Sequence, residues 1–272
     1  MTYCRFRFEG QIVYGAVEDR GGEPWIVDLI AGPEEDLAFR LTHGHATSWS
    51  FDFEPIPVGA AGLLPPVTPS KIICVGRNYR DHAKELGNEV PAEPLLFFKP
   101  PSSLLAPGGV VLMPHASARV DFEGELALVI GRRAHKLAPD AEWRTYIRGY
   151  TIANDITARD LQKKDGQWTR AKGFDTFCPV GPYVNEKADL ESGLTVETRV
   201  NGELRQHGST LDFIFPIPTL LSYITAAITL EPGDLLLTGT PAGVGPLAAG
   251  DRVEVAIPGL GVLSNTVAAE AN

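Results

Sequence analysis

Cysteine is scarce in this 272-residue sequence, and the three that occur, Cys4, Cys74 and Cys178, are odd in number and widely spread. Neither a disulfide framework nor a zinc knuckle can be read from that spacing. Runs of basic residues are missing, and 24 Lys and Arg against 34 Asp and Glu leave a formal charge of −10. Such an acidic surface argues against nucleic acid as a partner. No apolar run is long enough for a membrane span. The longest, Ile214 to Leu230, is interrupted by Pro216 and Pro218 and carries Ser222, Tyr223 and Thr225, so it reads as a buried helix. The opening MTYCRFRFEG has neither the apolar centre of a signal peptide nor the character of an amphipathic Arg/Ser-rich presequence. The cytosol is therefore the expected location. Internal repeats and low-complexity tracts are absent.

What is present is an ordinary globular composition, 44% hydrophobic and 21% charged, sufficient for one large core or two unequal ones. Glycine (28) and proline (22) together exceed the roughly 12% of average composition, which favours a β-rich, turn-rich chain. Short strand-like pieces, YCRFRF, IVYGAV and WIVDL, fill the first sixty residues. A stiff connector, GAAGLLPPVTPSKI with Pro65, Pro66 and Pro69, follows them. This places a boundary near residue 69, between a small β-rich domain (1–69) and a main domain (70–272). In the main domain KIICVG, LLFFKP, VVLMP, ELALVIG, DLLLTGT and RVEVAI read as strands. RNYRDHAKELGNEVP reads as one short helix closed by Gly87, and Ile217 to Ile228 as another helix. Asn201-Gly202 signals a hairpin. The expected fold class is α+β, predominantly β, with a curled mixed sheet in place of a doubly wound parallel one.

The stretch VDFEGELALVIG, residues 120–131, places Asp121, Glu123 and Glu125 on alternate positions ahead of a continuous apolar run. Alternate strand side chains share a face, so Glu123 and Glu125 would repel one another at close quarters. An oxygen-only cluster of carboxylates is what Mg²⁺, Mn²⁺ or Ca²⁺ requires, and such an ion removes the repulsion. Asp155, which follows the apolar piece YTIAN, is the best third ligand. Spacing alone leaves a solvated strand end open as the other reading. Asp121 is placed nearer the solvent end and outside the site. His82 and Glu85 stand at i and i+3 on the short helix, where a carboxylate can orient an imidazole as a general base; an incidental surface pair is the alternative. His43, His45, His115, His135 and His207 read as surface residues.

Seven segments in order, CVGRNYRDHAKELG, PLLFFKP, FEGELALVIG, NDITARDLQ, WTRAKGFDTFCPVGP, VNGELRQ and GDLLLTGTPAGVGP, resemble the fumarylacetoacetate hydrolase family over nearly all of residues 71–265. The small N-terminal β-rich part is similar to the extension of bacterial members. The resemblance implies a curled β-roll, a homodimer and a metal site at Glu123, Glu125 and Asp155. It implies a catalytic pair, His82 and Glu85, on a lid. It further implies that Arg159 and Gln162 hold the substrate carboxylate and enol, that Lys172 balances charge on the head group, and that Thr240 positions a carboxylate. Lys99 and Arg77 fall in matching segments without an assigned role. The implied substrates carry a 2-oxo or 2-enol carboxylate head that chelates Mg²⁺ or Mn²⁺. In the cleavage reaction Glu85 orients His82, His82 deprotonates water, and pyruvate leaves. The lid pair favours this hydrolysis of acylpyruvate-type substrates; decarboxylation of an oxaloacetate-like acid or isomerisation of a 2-hydroxyhepta-2,4-diene-1,7-dioate-like one is the alternative. A non-catalytic metal- and carboxylate-binding protein is the reading from another class. The acyl tail, expected to meet the loop around Ser102 and Ser103, has no readable code.

Overall fold

The computed structural model describes residues 1–33, 52–85, 87 and 89–271; His43 and His45 lie outside them. Twelve strands form one mixed sheet, a second sheet has five strands and a third has three, among the described residues. The fold is predominantly β, as the sequence indicates. Among the described residues, four short α-helices accompany the sheets: α1 (Arg80–Glu85), α2 (Arg159–Asp165), α3 (Thr169–Gly173) and α4 (Ile217–Ala227).

The strand Gly124–Ile130 lies inside the large sheet, antiparallel to both Ile147–Asn154 and Leu235–Leu237. All seven of its residues are buried, because both of its faces are covered. Leu126, Leu128 and Ile130 point into a core shared with Ile217, Leu220, Leu221 and Ile224 of α4. Ala127 and Val129 point the other way, into a core with Cys74, Ala153, Cys178, Leu235 and Leu237. The period-2 alternation therefore divides one apolar run between two cores.

The sequence reads residues 120–131 as one strand, but the structure breaks it at Glu123. Val120–Phe122 leaves the large sheet and pairs with Thr157–Ala158 and Gly245–Pro246. The neighbouring strand breaks in register, at Asp155, after Ile147–Asn154. A backbone hydrogen bond from Asp155 N to Glu123 O, 2.8 Å, holds the two bends together. Gly124 makes the bend feasible: a Cβ there would collide with Thr198 Oγ1 and Val255 on the five-stranded sheet.

The N-terminal part is β-rich and has its own apolar cluster around Cys4, Phe6, Val13, Ile26 and Val58, to which Tyr183 also belongs. Its first strand nonetheless hydrogen-bonds to Cys178–Asn185, so the large sheet continues across residue 69. The hairpin forms at Asn201-Gly202, both with positive φ (52° and 84°), the turn that matches strand twist. No helix among the described residues is long and apolar enough to cross a membrane.

Candidate active site

The parity that sends Ala127, Val129 and Ala153 into one core also brings Glu125 and Asp155 to its end. Glu123 joins them at the bend. One oxygen from each of Glu123, Glu125 and Asp155 lies within 4.8 Å of the others, and all three residues are buried. They line a cavity of about 400 Å³, together with His82, Arg159, Gln162, Lys172 and Thr240. Eight of the nine site residues expected from the sequence thus line one cavity; the ninth, Glu85, stands behind His82.

Buried carboxylates need partners, and the sequence supplies them from α2, α3 and the strand Leu95–Lys99. Lys172 Nζ donates to Glu123 Oε2 (2.9 Å) and to Asp155 Oδ2. Lys99 Nζ, fully buried, donates to Asp155 Oδ1 at 2.7 Å and to Ile156 O at 3.2 Å. Arg159 Nη2 donates to Glu123 Oε1 at 2.6 Å. Burial alone would raise the Glu123 carboxyl, but Lys172, Arg159 and His82 outweigh it and hold it far below the carboxylate range. Glu125 differs. Its only hydrogen-bond partner among the described residues is the Gly239 N–H (2.7 Å), and burial, with Asp155 and Glu123 alongside, pushes its carboxyl well up. An oxygen-only donor set holding one carboxylate without a cation fits a hard divalent ion.

Asp121 corrects the sequence reading. It is fully buried, not at a solvent end, and it accepts from Arg159 Nε (3.0 Å), Arg119 Nε (2.8 Å) and Arg119 Nη2 (3.1 Å). The chain turns at Glu123, so Asp121 lies in a different sheet from Glu125 and meets α2. Arg159 is thereby fixed by three acceptors: Asp121, Glu123 and, through Nη1 at 2.8 Å, Gln162 Oε1. A guanidinium only donates, so Gln162 must face it with its carbonyl and keep its NH₂ for another partner.

On α1, His82 Nδ1 lies 3.4 Å from Glu85 Oε2. Glu85 also accepts from Gly243 N, at 3.1 and 3.2 Å, which ties the helix to the loop after Thr240. His82 is buried, and burial lowers its pKa despite the raising influence of Glu123 and Glu85. The imidazole is therefore held neutral to lower pH than usual. The Thr240 hydroxyl donates to Gly124 O (2.8 Å) and accepts from Gln206 Nε2 (2.7 Å). Its one proton is thus spent on the strand, and Thr240 fixes the cavity wall.

Sequence reasoning missed several contributors. Lys99 braces Asp155. Gln206, fully buried, joins Gly124 N to the 240–241 loop. Phe97 and Trp168 meet edge to face at 5.1 Å as the apolar wall, and Arg77 and Lys163 also line the cavity. Lys99 and Gln206 lay in recognised segments, but only the fold shows what they touch. His115 and His135 are exposed, as is His207, which pairs with Glu197 at 3.2 Å.

Residues 71–268 match the family described as fumarylacetoacetate (FAA) hydrolase C-terminal, and the chain belongs to that family. An uncharacterized protein of Archaeoglobus fulgidus is 51% identical over 216 residues, covering 79% of this chain and 86% of that one. An oxaloacetate tautomerase of Bacillus subtilis is 45% identical over 212 residues, covering 73% of this chain and 70% of its own. A solved structure of 2-hydroxyhepta-2,4-diene-1,7-dioate isomerase from Mycobacterium marinum is 38% identical, with a TM-score of 0.84 over the whole of both chains.

Proposed function

We propose that this chain is an enzyme of 2-oxo acids that moves a proton between carbon and oxygen of the enol form, as a tautomerase or isomerase. The observation that carries the reading is the meeting, in one cavity, of three buried carboxylates with Arg159, Gln162, Lys172 and a buried His82. The named relatives, an oxaloacetate tautomerase and a heptadienedioate isomerase, support proton transfer over the acylpyruvate cleavage that the lid pair favours on sequence grounds.

Glu123, Glu125 and Asp155 would hold the divalent ion, Mg²⁺ or Mn²⁺ by donor chemistry. When bound, it supplies Lewis acidity to the carboxylate and carbonyl oxygens of the head group. Arg159, with Nε and one N–H from each Nη already committed, keeps one N–H on each Nη for the substrate carboxylate. Gln162 adds its NH₂. Lys172 stays protonated, because Asp155 and Glu123 outweigh the lowering effect of burial, and its Nζ can hold or lend a proton at the enol oxygen. With Nδ1 directed at Glu85, His82 offers Nε2 as the base that takes the proton from carbon. Trp168 and Phe97 keep water from that wall.

A second reading, C–C cleavage of an acylpyruvate, rests on the same His82–Glu85 pair, with water in place of the carbon acid. One assay separates the two: oxaloacetate, an acylpyruvate and a 2-hydroxy-diene-dioate, each with Mg²⁺ and with chelator. Loss of enol or diene absorbance without new pyruvate supports proton transfer. Pyruvate plus a free acid from the acylpyruvate alone overturns it in favour of cleavage.

A further inference from the structure

Both oxygens of Glu123 and both of Asp155 accept from cationic side chains. Glu123 Oε1 takes Arg159 Nη2 (2.6 Å), and Oε2 takes Lys172 Nζ (2.9 Å). Asp155 Oδ1 takes Lys99 Nζ (2.7 Å), and Oδ2 takes Lys172 Nζ again. Lys172 therefore sits astride two of the three acids proposed to hold the divalent ion. Such an ion bonds a carboxylate oxygen at about 2.1 Å, while the ammonium lies 2.9 Å from Glu123 Oε2. Sharing that oxygen would bring the two cations within about 5 Å of each other, among buried groups where their repulsion is little screened.

The three cations differ in their freedom to yield. Lys99 Nζ is fully buried, also donates to Ile156 O (3.2 Å), and lies behind Asp155, outside the cavity walls. Arg159 is a rigid fork fixed by Asp121, Glu123 and Gln162. Lys172, on α3, lines the cavity itself, and its hydrogen-bond acceptors among the described residues are Glu123 and Asp155 alone. Its flexible four-carbon stem lets the ammonium move without the helix. The face of Phe97, on the cavity wall 4.9 Å from Nζ, offers it another place.

We propose that Lys172 is an exchangeable counter-ion, which the divalent ion displaces from Glu123 and Asp155 into the cavity. Arg159 and Lys99 stay on the outer oxygens of the two acids and keep them aimed. Ion and ammonium thus compete for the same oxygens, and Lys172 weakens metal binding. The ammonium reaches the substrate oxygen only after the ion has bound, which imposes the order ion first, substrate second. This rests on the metal site of the proposed function, and the test separates the two ideas.

Chelator-stripped protein is titrated calorimetrically with Mg²⁺ as the wild type, Lys172→Met and Lys99→Met. Each variant loses one positive charge beside Asp155, so relief of repulsion alone would tighten both alike. Exchange predicts that Lys172→Met binds Mg²⁺ about 10-fold or more tighter, because no charge-assisted contact has to break, and that Lys99→Met does not bind it tighter. A second readout needs no variant: acetylation of Lys172 in the wild type by acetic anhydride, followed by peptide mass spectrometry. Mg²⁺ should speed that modification severalfold by releasing the amine, whereas an ion that only fills the cavity would slow it. Unchanged or weaker Mg²⁺ binding by Lys172→Met, equal tightening by Lys99→Met, or acetylation that Mg²⁺ slows or leaves unchanged would overturn the exchange alone. A wild type that takes up no Mg²⁺ would overturn the metal-site reading beneath it.

Discussion

At the residue scale, the site depends on which cation each carboxylate meets. Asp121 touches no other site acid, but it holds Arg159 through Nε. Asp121→Asn should leave Mg²⁺ affinity within about threefold while raising KM for the 2-oxo acid by about 10-fold, the effect of a loosened charge-assisted contact. Calorimetric Mg²⁺ titration beside steady-state kinetics checks the split. His82 gives a prediction with a sign. Burial lowers its pKa below the ordinary 6.5, so neutral base persists into mild acid, and the acid limb of the kcat profile should fall below the usual histidine range. Glu85 raises that pKa, so Glu85→Gln should shift the limb to still lower pH as well as slow the reaction. A limb that moves upward contradicts the pairing. His82→Ala should leave metal binding intact. The sequence marked Glu123, Glu125 and Asp155, because their alternation and strand-end position are local features. It misplaced Asp121, whose partner Arg159 lies 38 residues away on another element.

At the element scale, the decisive feature is the paired bend at Glu123 and Asp155, where two strands leave one sheet for another. An unbroken apolar alternation through residues 120–131 hides such a bend, since burial continues on both sides of it. The strands, the Asn201-Gly202 hairpin and α4 were legible, because each follows from periodicity or turn chemistry within a few residues. Gly124 bears the cost of the bend: Gly124→Ala would press its Cβ on Thr198 and Val255. Overpacking of this kind should destabilise by about 1–3 kcal/mol, read as a lower denaturant midpoint with unchanged slope. A wild-type midpoint would show that the two sheets separate more easily than their contacts suggest.

At the scale of the whole molecule, joining of the N-terminal strands to the main sheet at Thr2↔Asn185 and Tyr3↔Val184 was invisible in the sequence. Pairing of residues so far apart leaves no local pattern. The same holds for the cavity, whose walls come from the strands ending at Gly76 and Lys99, α1, the two bends, α2, α3 and the Thr240 loop. The acidic overall charge of −10 coexists with a locally cationic cavity, which suits anionic substrates. The most direct test of the central claim is thermal unfolding of chelator-stripped protein with and without Mg²⁺ or Mn²⁺, for the wild type and for Asp155→Asn. If the three carboxylates form a metal site, ion at about 100 times its Kd should raise the wild-type Tm by roughly 5–10 °C and leave Asp155→Asn unmoved. A wild-type Tm indifferent to the ion would contradict the account.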